Sequence, residues 1–162
     1  MARQWTEIDR LKIDQGWAYI AHIDQIIKLR AEAKDELARI ESMSSIGAMR
    51  YDRDLVKTSP SDDAMLDAVI EREKVSDLEY LIRQLDEEYA RFMLDLMLFG
   101  QRSDGGHFFY VHYKFGYDYK EIAAAADIDP STERDMRKKA LIEMYDEGLI
   151  PKAYRIPEYK AI

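Results

Sequence analysis

YVHYKFGYDYKEIAAAADIDPSTERDMRKKALIEMY, residues 110–145, is the stretch whose reading decides the fold. Its spacing predicts a short helix, a tight turn at Gly116, a second short helix, a turn over Asp127–Asp129 and a longer helix rich in Arg and Lys. That succession is the outline of a helix-turn-helix. Phe108, Phe109, Val111, Tyr113 and Phe115 make an apolar segment expected to be buried. Gly116 supplies the left-handed residue that closes the first helix. In the second helix, Tyr119, Ile122 and Ala123 should face the core, and Lys120 and Glu121 should face out. Ala123 to Ala126 are small enough for close helix approach. Ile128 plugs the turn, Asp129 is placed to N-cap the last helix, and Pro130 suits its first turn.

Downstream, EGLIP (147–151) predicts the helix end, with Gly148 past the last turn and Pro151 after it. The tail, 152–162, alternates aromatic and charged residues and reads as an extended arm that packs on a neighbour. Upstream, GQRSDGG (100–106) carries three glycines and reads as a hinge. Before it, Val75, Leu78, Ile82, Leu85, Tyr89, Phe92, Leu96 and Phe99 alternate steps of three and four, which predicts a helix over about 62–99 with a heptad-like stripe. Residues 42–63 are rich in Ser, Gly, Pro and Asp and predict a long loop, with Ser61, Asp62 or Asp63 as the next N-cap. Trp17, Ile20, Ile23, Ile27, Leu37 and Ile40 predict an earlier helix over about 16–41. The first 15 residues have weak pattern and are expected to be partly ordered at best. The expected fold is all-α: a long, coiled-coil-like helical hairpin over 1–99 for packing or dimerisation, a helix-turn-helix module over 107–150, and a tail over 151–162. The stripe fits an antiparallel pair within the chain, a dimer, or a four-helix bundle from two chains.

The chain has 162 residues and a formal net charge of −8. Residues 1–106 carry 15 basic and 22 acidic side chains, and residues 107–162 carry 9 and 10. The acidity therefore lies mainly in the first two thirds, and a nearly neutral module binds DNA only if its bases cluster on one face. With no cysteine there is no disulfide, thiolate site or cysteine nucleophile. No signal-peptide pattern precedes Arg10, and no segment approaches the roughly 20 apolar residues of a membrane span. His22, His107 and His112 fit no metal spacing. Phosphate-binding loops, nucleophile elbows and HExxH are missing. The reading is a protein that is not an enzyme, with no cofactor and no metal. The eleven tyrosines, several of them late in the chain, suit core and interface packing.

The runs YKFGYDYKEIA, IDPST and RKKAL resemble region four of sigma-70-type factors, where a G-x-x-x-x-E-I-A helix precedes an I-S-x-x-T turn and a basic recognition helix. Gly116, Tyr119, Glu121, Ile122, Ala123, Ile128, Thr132, Ala140 and Leu141 sit at the matching positions. With the preceding hairpin, the chain is similar to small phage-encoded, sigma-like late-gene regulators of the ArpU and RinA kind. The resemblance implies sequence-specific binding of double-stranded DNA by a helix over about 130–146. Ser131, Thr132, Arg134 and Asp135 would reach base edges, and Arg137, Lys138 and Lys139 bases or phosphates. Lys114 and Lys120 would hold the opposite backbone. Glu133 stands where the family places an apolar β-branched residue, and with Asp135 it lowers the positive charge of that helix. A homodimer in the cytoplasm of a bacterial host cell is expected, with RNA polymerase as a further candidate partner. Two alternatives stand beside this reading: an interaction module that binds RNA polymerase or another regulator without reading DNA, and a packaging protein resembling small terminase subunits.

Overall fold

The computed structural model describes residues 4–54 and 62–154, with side chains over 4–43 and 65–154. Every regular element among them is helical. The order is α1 (Glu7–Asp54), α2 (Asp62–Gly100), α3 (Asp104–Phe115), α4 (Tyr119–Ala125), α5 (Pro130–Asp146) and a 3-10 turn over Lys152–Tyr154. None of these helices is long and apolar enough to cross a membrane.

α1 is longer at both ends than its apolar pattern predicts. Its start is set by a reciprocal capping box. The Asp9 N–H donates to the Thr6 hydroxyl at 3.1 Å, and the Thr6 N–H donates to the Asp9 carboxylate at 3.3 Å. The residues before Trp17 are thus held by this cap and by Ile13, which is buried in the core. At the other end α1 runs to Asp54, through 42–54 of the expected loop. That segment holds one glycine and no proline, so its propensity deficit is about 1 kcal/mol at Gly47 plus small serine terms. Residues 55–61, including Ser61, and the tail beyond Tyr154 lie outside the described residues.

The chain divides into two compact units, residues 25–88 and residues 1–24 with 89–162. This division cuts across both long helices and does not follow the 100–106 segment. In the first unit, Arg30 of α1 is ion-paired with Asp86 of α2. Ile40 and Glu41 share a cleft with Ala68, Glu71 and Val75. The pairing order is reversed along the two helices, so they run antiparallel there.

In the second unit, the core gathers Ile13, Ile20 and Ile23 from α1, Phe92, Leu96 and Phe99 from α2, Phe108 and Phe109 from α3, Ile122 and Ala123 from α4, and Ala140, Leu141 and Met144 from α5. Trp17 meets Phe109 edge-on at 6.0 Å, and Phe92 meets Tyr113 at 5.3 Å. The Tyr113 hydroxyl donates to Asp24 at 2.7 Å, and burial, reinforced by that carboxylate, pushes its phenol well above the usual range. Tyr154 packs against Tyr19 and His22.

The 100–106 segment is a tight turn and not a hinge. Only Gln101 and Arg102 separate α2 from Ser103, which caps α3 by accepting the Gly106 N–H at 3.2 Å. Gly105 and Gly106 are buried in the first turn of α3. Asp95 of α2 is held above its ordinary pKa by desolvation, against the opposing pull of Arg91. A raised carboxyl pKa favours the fold fully below the ordinary value and loses that contribution as pH rises through the folded value. Asp95→Asn should therefore raise the melting temperature slightly at neutral pH. The gain should vanish near about pH 3. Equal melting shifts at both pH values would contradict this.

Candidate functional site

Phe108 and Phe109 anchor α3 in the core, whereas Phe115, expected inside, is 61% exposed at the far end of the helix. The helix closes at Gly116, whose φ of 77° is left-handed and whose N–H donates to the His112 carbonyl. In the turn after α4, Asp127 stands at φ 55°, a conformation that Asp tolerates better than bulkier residues. The Ile128 N–H returns to the Ala123 carbonyl at 3.1 Å, which turns the chain into α5. Asp129 holds the N-cap position in extended backbone but makes no side-chain cap bond. α5 packs on both α3 and α4.

At about 100° per residue, Glu133, Arg137, Ala140, Leu141 and Met144 fall on one stripe of α5, and all five are buried. Arg137 is therefore not on the outer surface where a nucleic-acid contact would place it. Its Nε donates to one oxygen of Glu133 at 2.5 Å and its Nη2 to the other at 3.0 Å. The guanidinium lies 3.6 Å from the Tyr119 ring centroid, with Trp17 and Phe109 at 5.7 and 6.0 Å. His112 stacks on Tyr119 at 4.2 Å, and burial raises the Tyr119 phenol against the opposing effect of Arg137. Glu133, 2% exposed, is accordingly the partner of a buried cation and not an acid on the outer face. One bidentate pair thus ties α5 to α1, α3 and α4. A lone buried carboxylate or guanidinium would be costly, and together they satisfy each other's hydrogen bonds.

The remaining expected site residues divide by position. Ser131, Thr132 and Lys139 are exposed and Asp135 half-buried, all on the side of α5 opposite the buried stripe. Arg134, exposed, and Lys138, half-buried, stand one turn apart on the flank toward α1. Lys138 there lines a cleft of about 430 Å3 with Trp5, Arg10, Ile13, Asp14 and Trp17. On the other flank, Met136, Lys139 and Glu143 line a cleft with Arg102, Ser103 and Gly105. Its cations are already engaged: Arg102 is ion-paired with Glu147, and Lys139 lies 3.9 Å from Glu143. Lys114 and Lys120 are exposed on α3 and α4, and no ion pair or hydrogen bond of their side chains joins them to α5. Arg10 and Trp5 precede the apolar pattern that starts at Trp17, so that pattern does not place them. The T-x-x-D spacing at 6–9 was the available signal.

No protein-family model matches the sequence, and neither a curated protein nor a solved structure matches it significantly.

Proposed function

We propose that this chain is a sequence-specific DNA-binding regulator in which α3, α4 and α5 act as a helix-turn-helix and α5 enters the major groove. The observation that carries the reading is α5 itself. It is fixed from behind by the Glu133–Arg137 pair and presents Ser131, Thr132, Asp135 and Lys139 outward, with Arg134 and Lys138 beside them. Small polar and basic side chains at the N-terminal half of an exposed helix are the groups that read base edges and hold phosphates. The buried pair removes Glu133 from the charge that DNA would meet, and it removes Arg137 from the contact set. The likeness of the sequence to sigma region four and to phage late-gene regulators suggests a bacterial or phage transcription role. Leu94, Met97 and Leu98, exposed at helical spacing on α2, support a homodimer reading two half-sites.

The test is binding to fragments of the source genome over a series of salt concentrations. Affinity should fall steeply with salt, and Arg134→Ala with Lys138→Ala should weaken binding about 10-fold or more. No binding to any fragment at low salt would end this reading. A specific feature favours the second reading, a protein-interaction module that engages RNA polymerase or another regulator. An open cleft of about 600 Å3 between α3 and α4 is lined by Phe108, Val111, Tyr117 and Ile122.

A further inference from the structure

We infer that the first turns of α1 form a second DNA-contacting element, with Arg10 reaching the phosphate backbone on the α1 flank of α5. This rests on the DNA-binding reading of α5.

The capping box at Thr6 and Asp9 fixes the turn that carries Arg10. That turn lies against α5, because Gly16 lets α1 approach within contact of Leu141, and Lys12 is ion-paired with Asp146 at 2.6 Å. The cleft between them brings Arg10 and Lys138 together, with Arg134 one turn back along α5. Among the described residues no ion pair engages Arg10, Arg134 or Lys138, whereas the cations of the opposite flank are paired with Glu147 and Glu143. Three unspent cations from two helices on one flank are what a helix in a groove needs along one sugar-phosphate strand. Asp14, in the same cleft, opposes that contact. The chain therefore carries an acid and a base whose removal should act in opposite directions.

The experiment measures binding of the full chain to a mixed-sequence 30-base-pair duplex (about three turns) by fluorescence anisotropy over a salt series. Arg10→Gln should weaken binding by about 3- to 10-fold at fixed salt and reduce the slope of log affinity against log salt by about 1. Asp14→Asn should tighten binding. Both positions are polar and exposed, and matching circular dichroism and melting curves would separate a contact from a folding defect. If wild type binds and Arg134→Gln weakens it while Arg10→Gln leaves affinity and slope unchanged, the α1 contact is wrong and the reading of α5 stands. If wild type binds neither this duplex nor any fragment of the source genome at low salt, both fall. Weakening by Asp14→Asn would also overturn the α1 contact.

Discussion

Arg137→Ala is expected to lower the unfolding free energy by about 3–5 kcal/mol. The cost comes less from the lost attraction than from what remains. Glu133 is 2% exposed, and without the guanidinium its carboxylate is left buried and unpaired. Glu133→Ala alone should be similarly harmful, because it leaves a buried cation. Replacing both, as Glu133→Leu with Arg137→Met, removes both charges and restores most of the volume. It should recover most of the stability, and buried pairs exchanged for apolar groups are often neutral or better. Arg137→Lys will not rescue, since an ammonium offers neither the two-pronged bond to Glu133 nor the flat stack on Tyr119. Urea denaturation of wild type, Arg137→Ala, Glu133→Ala and the variant carrying both alanines gives the coupling energy directly. A loss below about 1 kcal/mol for Arg137→Ala would mean that the pair is solvated and not part of the core. The same series separates stability from DNA binding. The double variant should fold and still bind a duplex, whereas a true phosphate contact at Arg137 would leave it folded and unable to bind.

That pair also shows where the sequence was legible and where it was not. The stripe of α2 from Val75 to Phe99 could be read because burial on one helical face repeats with the helix itself, and each of its eight residues is buried or half-buried. Gly116 and Gly148 could be read because a left-handed turn after an apolar run admits few other residues, and their φ values are 77° and 79°. Arg137 could not be placed from its neighbours. Arg137, Lys138 and Lys139 look alike in sequence, yet at 100° intervals they point into the core, along the α1 flank and outward. Only the apolar phase of Ala140, Leu141 and Met144 distinguishes them, together with the four-residue spacing to Glu133. The N-terminal end of α1 was hidden for a different reason. Its order depends on a two-residue cap and on α5, a partner more than 100 positions away, and neither leaves an apolar period. The glycines of 100–106 look the same in sequence whether they loosen a chain or let two helices touch.

Gly105→Ala decides between those two meanings, and it is the other change expected to have a large effect. In an exposed helix, alanine in place of glycine gains up to about 1 kcal/mol. A hinge glycine replaced by alanine would stiffen the segment without unfolding the unit. Here the added Cβ would lie 2.6 Å from the carbonyl carbon of Met136 and closer still to its oxygen, with the Ala140 Cβ at 2.9 Å. The obstacle is the backbone of α5, which has no rotamer to change, so α3 and α5 would have to move apart. Overpacking of this kind costs about 1–3 kcal/mol even where side chains can yield, so a net loss of at least about 2 kcal/mol is expected. Gly16→Ala offers the internal comparison. Its Cβ would meet the Leu141 side chain at 2.9 Å, and part of that clash can be relieved by a shift of Leu141. The order of destabilisation should therefore be Gly105→Ala above Gly16→Ala, read from denaturant midpoints at constant m-value. Separation of α3 from α5 would also displace the outer face of α5, so residual duplex binding by Gly105→Ala should fall further than its folded fraction alone accounts for. A Gly105→Ala variant as stable as wild type would show that α3 and α5 do not touch at this turn, and that the segment is the hinge its three glycines suggest.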